Sequence, residues 1–238
     1  MSWLAQVLKT SIGGKLVMAI TGVLLSLFLV GHLAGNLLLF RGREAVNDYA
    51  EFLKASPALL WAVRLGLLAV FLLHVITALR LAAANRAARP VRYAKEHTNV
   101  ATQASRTMVL TGLLVLAYLL FHLAHFTVGV THPEHHALRE AVVRGGVATT
   151  RHDVFSMMVK GFQQPLVSGL YAAAMVLLGL HLSHGVSSVF QTLGLNHPRY
   201  NPILRRVGPV FAILIAAGFL TLPAAVLFGF VQLPAGVQ

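Results

Sequence analysis

Four histidines sit where a histidine is costly. His32, His74, His122 and His181 each fall in a long apolar run that contains no acidic residue. A neutral imidazole can ligate a metal, bridge two helices by a hydrogen bond or pass a proton. At membrane depth an ionisable group faces a partner or a cofactor in preference to lipid. Which chemistry applies depends on whether the four come singly or as pairs at one level.

The elements that must position them are read from length and hydropathy. Of the 238 residues, 57% are hydrophobic and 11% charged, an all-α membrane composition and not that of a soluble domain of this size. About 20 apolar residues at 1.5 Å each cross the hydrocarbon core. Five such runs are present: Leu16–Phe40, Leu59–Leu81, Met108–Val130, Leu166–Phe190 and Val207–Val231. They predict a single transmembrane domain over residues 1–238. Pro57, Pro165 and Pro209 stand at or near three of the predicted starts, where a missing N–H costs little. No cleavable signal pattern precedes the first run, which is too long for one.

Alternate loops carry unequal charge. One side holds Lys9, Lys15, Arg80, Arg86, Arg89, Arg92, Lys95, Arg106, Arg199, Arg205 and Arg206 against the acid Glu96. The other holds Arg41, Arg43, Lys54, Arg64, Arg139, Arg144, Arg151 and Lys160 with the remaining acids. The positive-inside rule places the first side, and the N-terminus, in the cytoplasm. The formal charge of +12 therefore belongs to a membrane surface and not to nucleic acid. The absence of cysteine excludes disulfides, thiolate zinc sites and cysteine-held iron–sulfur clusters.

In this orientation His32 and His122 lie past the middle of outward-running spans, roughly 5 Å to the outer side of the midplane. His74 and His181 lie past the middle of inward-running spans, roughly 5 Å to the inner side. Two pairs at two levels on four helices are what bis-histidine ligation of two b-type haems requires. A single intramembrane histidine could instead be a packing residue, but four in two layers are harder to obtain that way. Gly31 and Gly35 beside His32, and Gly179 and Gly185 around His181, leave room for a flat macrocycle or a neighbouring helix.

His125 and His184 follow His122 and His181 by three residues on nearly the same face, so geometry leaves the choice within each couple open. The extra histidines could touch propionates or quinone, or snorkel. Two loops have character. Ala45–Ala55 brings Val46, Tyr49, Phe52 and Leu53 to one face and predicts a short interfacial helix. Thr131–Gln164 reads as a long loop whose HPEHH, His132 to His136, offers nitrogens to a transition metal, with a solvated loop as the plainer reading.

Four stretches then resemble a known family. GHLAGNLLLFRGREAVNDYAEFL, FLLHVITALRL, TGLLVLAYLLFHLAHF and HLSHGVSSVFQTLGLNHPRY are similar to the b558-type, five-helix, dihaem cytochrome b membrane anchor of succinate dehydrogenase and fumarate reductase, the succinate:quinone oxidoreductases. The resemblance implies one haem ligand from each of the first four spans: His32, His74, His122, which lies eleven residues beyond Thr111, and His181, which opens an HxxxG stretch. It implies pairing of His32 with His122 at an outer haem and of His74 with His181 at an inner one.

It further implies a flavoprotein subunit and an iron–sulfur subunit as partners, a bacterial inner-membrane location, and a quinone, menaquinone in many members, near the outer haem. The chain itself holds no dicarboxylate site. Where some fumarate-reducing members carry a glutamate before the fourth ligand, this chain has Leu178, Gly179 and Leu180, which tilts the expectation towards succinate oxidation.

Interfacial donors for propionates are Arg106, Ser105, Ser187 and Ser188 on one side and Arg41 and Arg43 on the other. Thr77 and Ser183 are candidates to support the ligand imidazoles. Quinone reduction consumes protons, and Asn36, Asn47, Asp48, Tyr49 and Glu51 form the polar cluster nearest the end of the first span, with Glu51 the residue to test. The competing expectations are an anchor of another quinone-linked dehydrogenase and a histidine-dependent proton or metal transporter. A transporter would be expected to show repeats and intramembrane carboxylates, and all seven acids lie outside the spans.

Overall fold

The structure, a computed structural model, describes residue 6 and residues 10–88, 102–195, 197–234 and 236–237. Lys9, Arg89, Arg92, Lys95, Glu96 and His97, on which part of the charge count rests, lie outside the described residues. Five helices are long and apolar enough to cross a bilayer, and the fold is an all-α multi-pass membrane one.

The first is α1, Ser11–Asn36, which tightens into a 3-10 turn over Leu37–Arg41. The Thr10 hydroxyl accepts from the Gly13 N–H at 3.0 Å and satisfies a donor that the helix start leaves over. Gly42, at φ 95, breaks the run and starts α2, Arg43–Lys54. The second span is α3, Pro57–Ala87, and the third is α4, Met108–His122, continued as a π-helix over Leu123–Val128. A single turn, Gln103–Arg106, precedes α4. The fourth span is α7, Pro165–Thr192, and the fifth α8, Asn201–Leu227. Pro57 and Pro165 open their helices as expected. Pro209 does not: α8 begins eight residues earlier, where Pro202 occupies the first turn at no hydrogen-bonding cost, and Pro209 lies inside the helix.

The loop Thr131–Gln164 is not irregular. It folds into α5, Pro133–His136, an antiparallel hairpin of β1, Arg139–Arg144, and β2, Val147–His152, and α6, Val154–Gln163. The hairpin turn is Gly145-Gly146, both in the left-handed region (φ 56 and 81), the backbone that a two-residue turn between twisted strands demands.

The contacts divide the chain into two compact units, and the boundary passes through every span. The first unit comprises Met1–Leu29, Val63–Leu113 and Leu178–Leu214. Its helices approach closely at glycines. A Cβ on Gly208 would run into the Ser183 carbonyl and Ser187, so α8 packs there almost backbone to backbone on α7. A Cβ on Gly14 would stand 2.9 Å from the Arg80 guanidinium.

The second unit comprises Val30–Ala62, Leu114–Leu177 and Ile215–Gln238. Its core joins Leu39 and Val46 to Phe155, Met158, Val159 and Phe162 of α6 and to Tyr171, Leu222 and Val226 of the last two spans. In α2 the apolar face is split: Val46 is buried, whereas Phe52, 74% exposed, and Leu53 point away from the protein, the disposition of an interfacial helix that offers side chains to lipid. Gly35 is filled by the Tyr49 ring, 2.6 Å from where a Cβ would be, so this glycine serves helix packing.

Polar contacts fasten the hairpin and α6 to α2. Asp153, fully buried, caps α6 by accepting from the Ser156 N–H at 3.1 Å and receives Arg43 at 2.6 and 3.0 Å. Asn47 donates to Asp153 at 2.9 Å and to Glu140 at 2.8 Å, and accepts from the Phe155 N–H at 3.0 Å. Arg151 binds Glu140 at 2.7 Å and also Asp48. Every polar atom of the buried Asn47 amide thus has a partner, which is what makes its burial tolerable.

Candidate histidine centres

The first unit holds His74 and His181. Each is held by a threonine of a different helix. Thr21 Oγ1 lies 2.9 Å from His74 Nδ1, and the same hydroxyl is 2.7 Å from the Val17 carbonyl. A hydroxyl has one proton, and a carbonyl can only accept it. Thr21 therefore donates to Val17 and accepts from His74, which puts the imidazole proton on Nδ1 and the lone pair on Nε2. Thr111 repeats the device. It donates to Thr107 at 3.0 Å and faces His181 Nδ1 at the longer distance of 3.4 Å. Thr21 and Thr111 are both buried inside spans.

Each threonine is followed by a glycine. A Cβ on Gly22 would meet His74 Cε1 at 3.7 Å, and one on Gly112 would meet His181 Cε1 at 3.3 Å. Thr-Gly is thus a seat for an imidazole: hydroxyl beneath the ring nitrogen, no side chain where the ring edge lies. The same dipeptide stands eleven residues before His32 in α1 and before His122 in α4. Eleven residues are close to three turns, so threonine and histidine share a helix face. Thr77 and Ser183, the sequence candidates for this supporting role, are not the residues that fill it. Thr77 is buried, but the hydroxyls on the rings are those of Thr21 and Thr111.

In the second unit the His32 and His122 rings stand 5.9 Å apart with their planes at 82°. Phe219 lies against His32 at 5.7 Å and Tyr118 against His122 at 5.9 Å. Tyr171 Oη is 3.2 Å from His122 Nδ1 and 3.1 Å from His125 Nδ1. Asn36 donates to the His32 carbonyl at 2.7 Å, with its amide 3.4 Å from the His32 ring nitrogens, so this quinone candidate is also part of the His32 surroundings.

Two imidazoles bound to one metal at about 2 Å each have ring centres roughly 6 Å apart, and the His32–His122 separation matches. Ring planes at right angles are compatible with a shared axis through the metal. In the first unit the donor chemistry fits: two neutral Nε2 lone pairs from two helices, with Nδ1 hydrogen-bonded as metal-ligating histidines almost always are. A Cβ at Gly31 or Gly185 would meet no atom within 4 Å, so there is open space beside His32 and along α7. The His32–His122 separation and the donor chemistry of His74 and His181 fit bis-histidine ligation of haem.

The remaining sequence candidates are placed as follows. Arg106 is exposed at the start of the third span. Ser187 donates to the Ser183 carbonyl at 2.9 Å under Gly208, and Ser188 to the Gly185 carbonyl at 2.8 Å. Arg43 is engaged by Asp153, while Arg41 is exposed. Glu51 is paired with Arg144 at 2.5 Å and Arg151 at 3.5 Å, which binds this quinone candidate to the hairpin. His125 does not snorkel. It is 2% exposed and stacked on Phe126.

Outside the spans, burial would raise the Asp153 carboxyl, but Arg43, Asn47 and Ser156 outweigh it and hold it down to about 2. Burial, with the Lys54 ammonium beside it, lowers His152 to about 4. His152 is neutral with its proton on Nε2, donated to the His136 carbonyl at 3.0 Å, because Lys54 donates to its Nδ1 at 3.2 Å. Compared with family models, curated proteins and solved structures, the chain finds no match.

Proposed function

We propose that the chain is a dihaem cytochrome b, the membrane anchor of a succinate:quinone oxidoreductase, in a bacterial cytoplasmic membrane with its N-terminus inside. The observation that carries the reading is the sorting of the four histidines into two couples, one per compact unit, three of the four with a hydroxyl at Nδ1. A packing role for each histidine separately would not require that repetition. A proton or metal transporter is the weaker reading, because every acid lies outside the spans.

Haem, when bound, supplies one-electron redox chemistry at potentials set by its ligands and their surroundings. The chain's own part is positional. Thr21 holds the His74 tautomer that presents Nε2, Thr111 faces His181 Nδ1 in the same way, and Tyr171 Oη stands at His122 Nδ1. Two histidines per centre would leave no open position for oxygen. The apolar side chains around them, Phe219 and Tyr118 among them, keep water away. A flavoprotein and an iron–sulfur subunit would deliver or take electrons on the side of the His74–His181 pair. Quinone, menaquinone by the resemblance, would exchange them near the His32–His122 pair, where Asn36 and Glu51 are the polar candidates.

The test is a reduced-minus-oxidised spectrum with haem extraction on the purified chain. Two b-type haems per chain are expected. His32→Ala and His122→Ala should remove the same one, and His74→Ala and His181→Ala the other. A chain isolated from haem-replete cells with no b-type absorbance overturns the proposal.

A further inference from the structure

We propose that His125, His132 and His135 form a binding site for one divalent transition-metal ion of borderline softness, for which Zn2+ is the probe, distinct from the four histidines of the two pairs. One ring nitrogen of each lies within 4.8 Å of one from each of the others. The fold brings them together on purpose-built backbone. The π-helix carries His125 to the end of the third span, Gly129 in the left-handed region (φ 79) turns the chain back, and α5 presents His135 one turn after His132. All three lie in the second unit.

Unmet hydrogen bonds point to a missing ligand. Among the described residues four buried side-chain polar atoms lack a partner, and three of them are His125 Nε2, His132 Nδ1 and His135 Nδ1. Native proteins rarely leave such atoms unsatisfied, and a water or an ion is the usual partner where the protein supplies none. Here three converge. The far nitrogen of His125 is hydrogen-bonded as it is in metal centres, and that of His135 faces a carboxylate. His125 Nδ1 meets Tyr171 Oη at 3.1 Å, and His135 Nε2 is 3.6 Å from the Glu134 carboxylate. Tyr171 Oη, with one proton and two lone pairs, stands at both Nδ1 atoms, and His125 Nε2 is the ring nitrogen left without a partner. The one glycine beside the cluster makes room for it, since a Cβ on Gly161 would stand 3.1 Å from His125 Nε2.

The donor set names the ion class. Three neutral imidazoles without thiolate suit Zn2+, Cu2+ or Ni2+ and not Mg2+ or Ca2+, which take oxygen. Ligand nitrogens of a tetrahedral site lie about 3.3 Å apart at metal–nitrogen distances of about 2.05 Å. Closing from 4.8 Å is a matter of about 1.5 Å between ring nitrogens, and the His132 and His135 rings already lie parallel with centroids 4.9 Å apart at the start of α5. Glu134 and Lys160 place one charge of each sign near His135. Three protein ligands leave one coordination position for water. The ion would pin α5 to the end of the third span.

The experiment titrates Zn2+ against a chromophoric chelator on the full chain, purified in detergent and stripped of metal. One Zn2+ per chain is expected at micromolar affinity or better. His132→Ala and His135→Ala should each weaken it at least 100-fold, and the double variant H136A/H152A should leave it unchanged. A monodisperse size-exclusion profile and unchanged far-UV circular dichroism of H132A and H135A serve as the fold control, so this proposal can fail while the haem reading stands, and the reverse. Binding that survives H132A and H135A, or that H136A/H152A abolishes, overturns the site, as does a chain that takes up no stoichiometric Zn2+.

Discussion

Replacing Thr21 by Val tests the imidazole seat directly. The exchange keeps the branched shape and removes one oxygen, the acceptor 2.9 Å from His74 Nδ1. Leaving a buried N–H without its acceptor costs about 1–3 kcal/mol in general, and hydrogen bonds between membrane helices average about 0.6 and reach about 1.7 kcal/mol. A stability loss of roughly 1 kcal/mol is the sum to expect. The larger effect is on the metal. Loss of such a supporting contact typically lowers affinity 10–100-fold, about 1.4–2.7 kcal/mol.

The sign on the potential follows from charge. Donation from Nδ1 to the Thr21 oxygen makes Nε2 a better electron donor, which favours ferric iron, so removing it raises the midpoint. A tenfold differential between the two oxidation states is 59 mV for one electron, and a rise of about 30–60 mV in one of the two haems is expected by potentiometric titration. In the proposed cytochrome Thr111→Val would act through His181, by a contact of 3.4 Å, so its shift should be smaller. Thr21→Ser, which restores the hydroxyl, should return the potential. Two unshifted potentials in Thr21→Val, or a larger shift in Thr111→Val, would refute the assignment.

Other outcomes follow from the second unit. Glu51→Gln removes an exposed carboxylate from Arg144 and Arg151, a stability change of about 0.5 kcal/mol by unfolding. It should lower quinone-linked turnover of the assembled complex with both haem spectra intact, and unchanged turnover removes Glu51 from the quinone site. Asp153→Asn strips the buried partner of Arg43 and should cost roughly 3 kcal/mol in thermal or denaturant unfolding. Because the folded Asp153 carboxyl is depressed to about 2, the unfolded chain binds the proton first as pH falls. This contribution is complete above about pH 4 and is lost between about 4 and 2, and D153N should flatten that limb of the stability profile.

The spans were legible because length and apolarity alone specify them, and the four histidines because depth can be counted along a helix. Their supports were harder to see. A threonine inside a span can return its proton to its own helix and face anywhere, so Thr21 carries no signal by itself. The signal was the recurrence of Thr-Gly eleven residues before a histidine in two different spans, a pattern separated by a whole helix and its loops. Thr131–Gln164 was read as a long loop. Its Gly145-Gly146 between two runs rich in Val and Thr was the available sign of a hairpin, and Glu140, Arg144, Arg151 and Asp153 are paired with α2. Pro209 misled because a proline marks a helix start only when nothing upstream can also start one, and Pro202 could. His125 was open between a haem, a quinone and a snorkelling role. Only the π-turn, which no residue type announces, swings it towards His132 and His135.

The eleven-residue interval works as a ruler. A helix advances about 100° per residue, so one residue inserted or deleted between Thr21 and His32, or between Thr111 and His122, would swing one of the two groups a quarter-turn out of line. Length changes that other membrane helices absorb by tilting are closed to these two, and their middle stretches can drift in side chain but not in count.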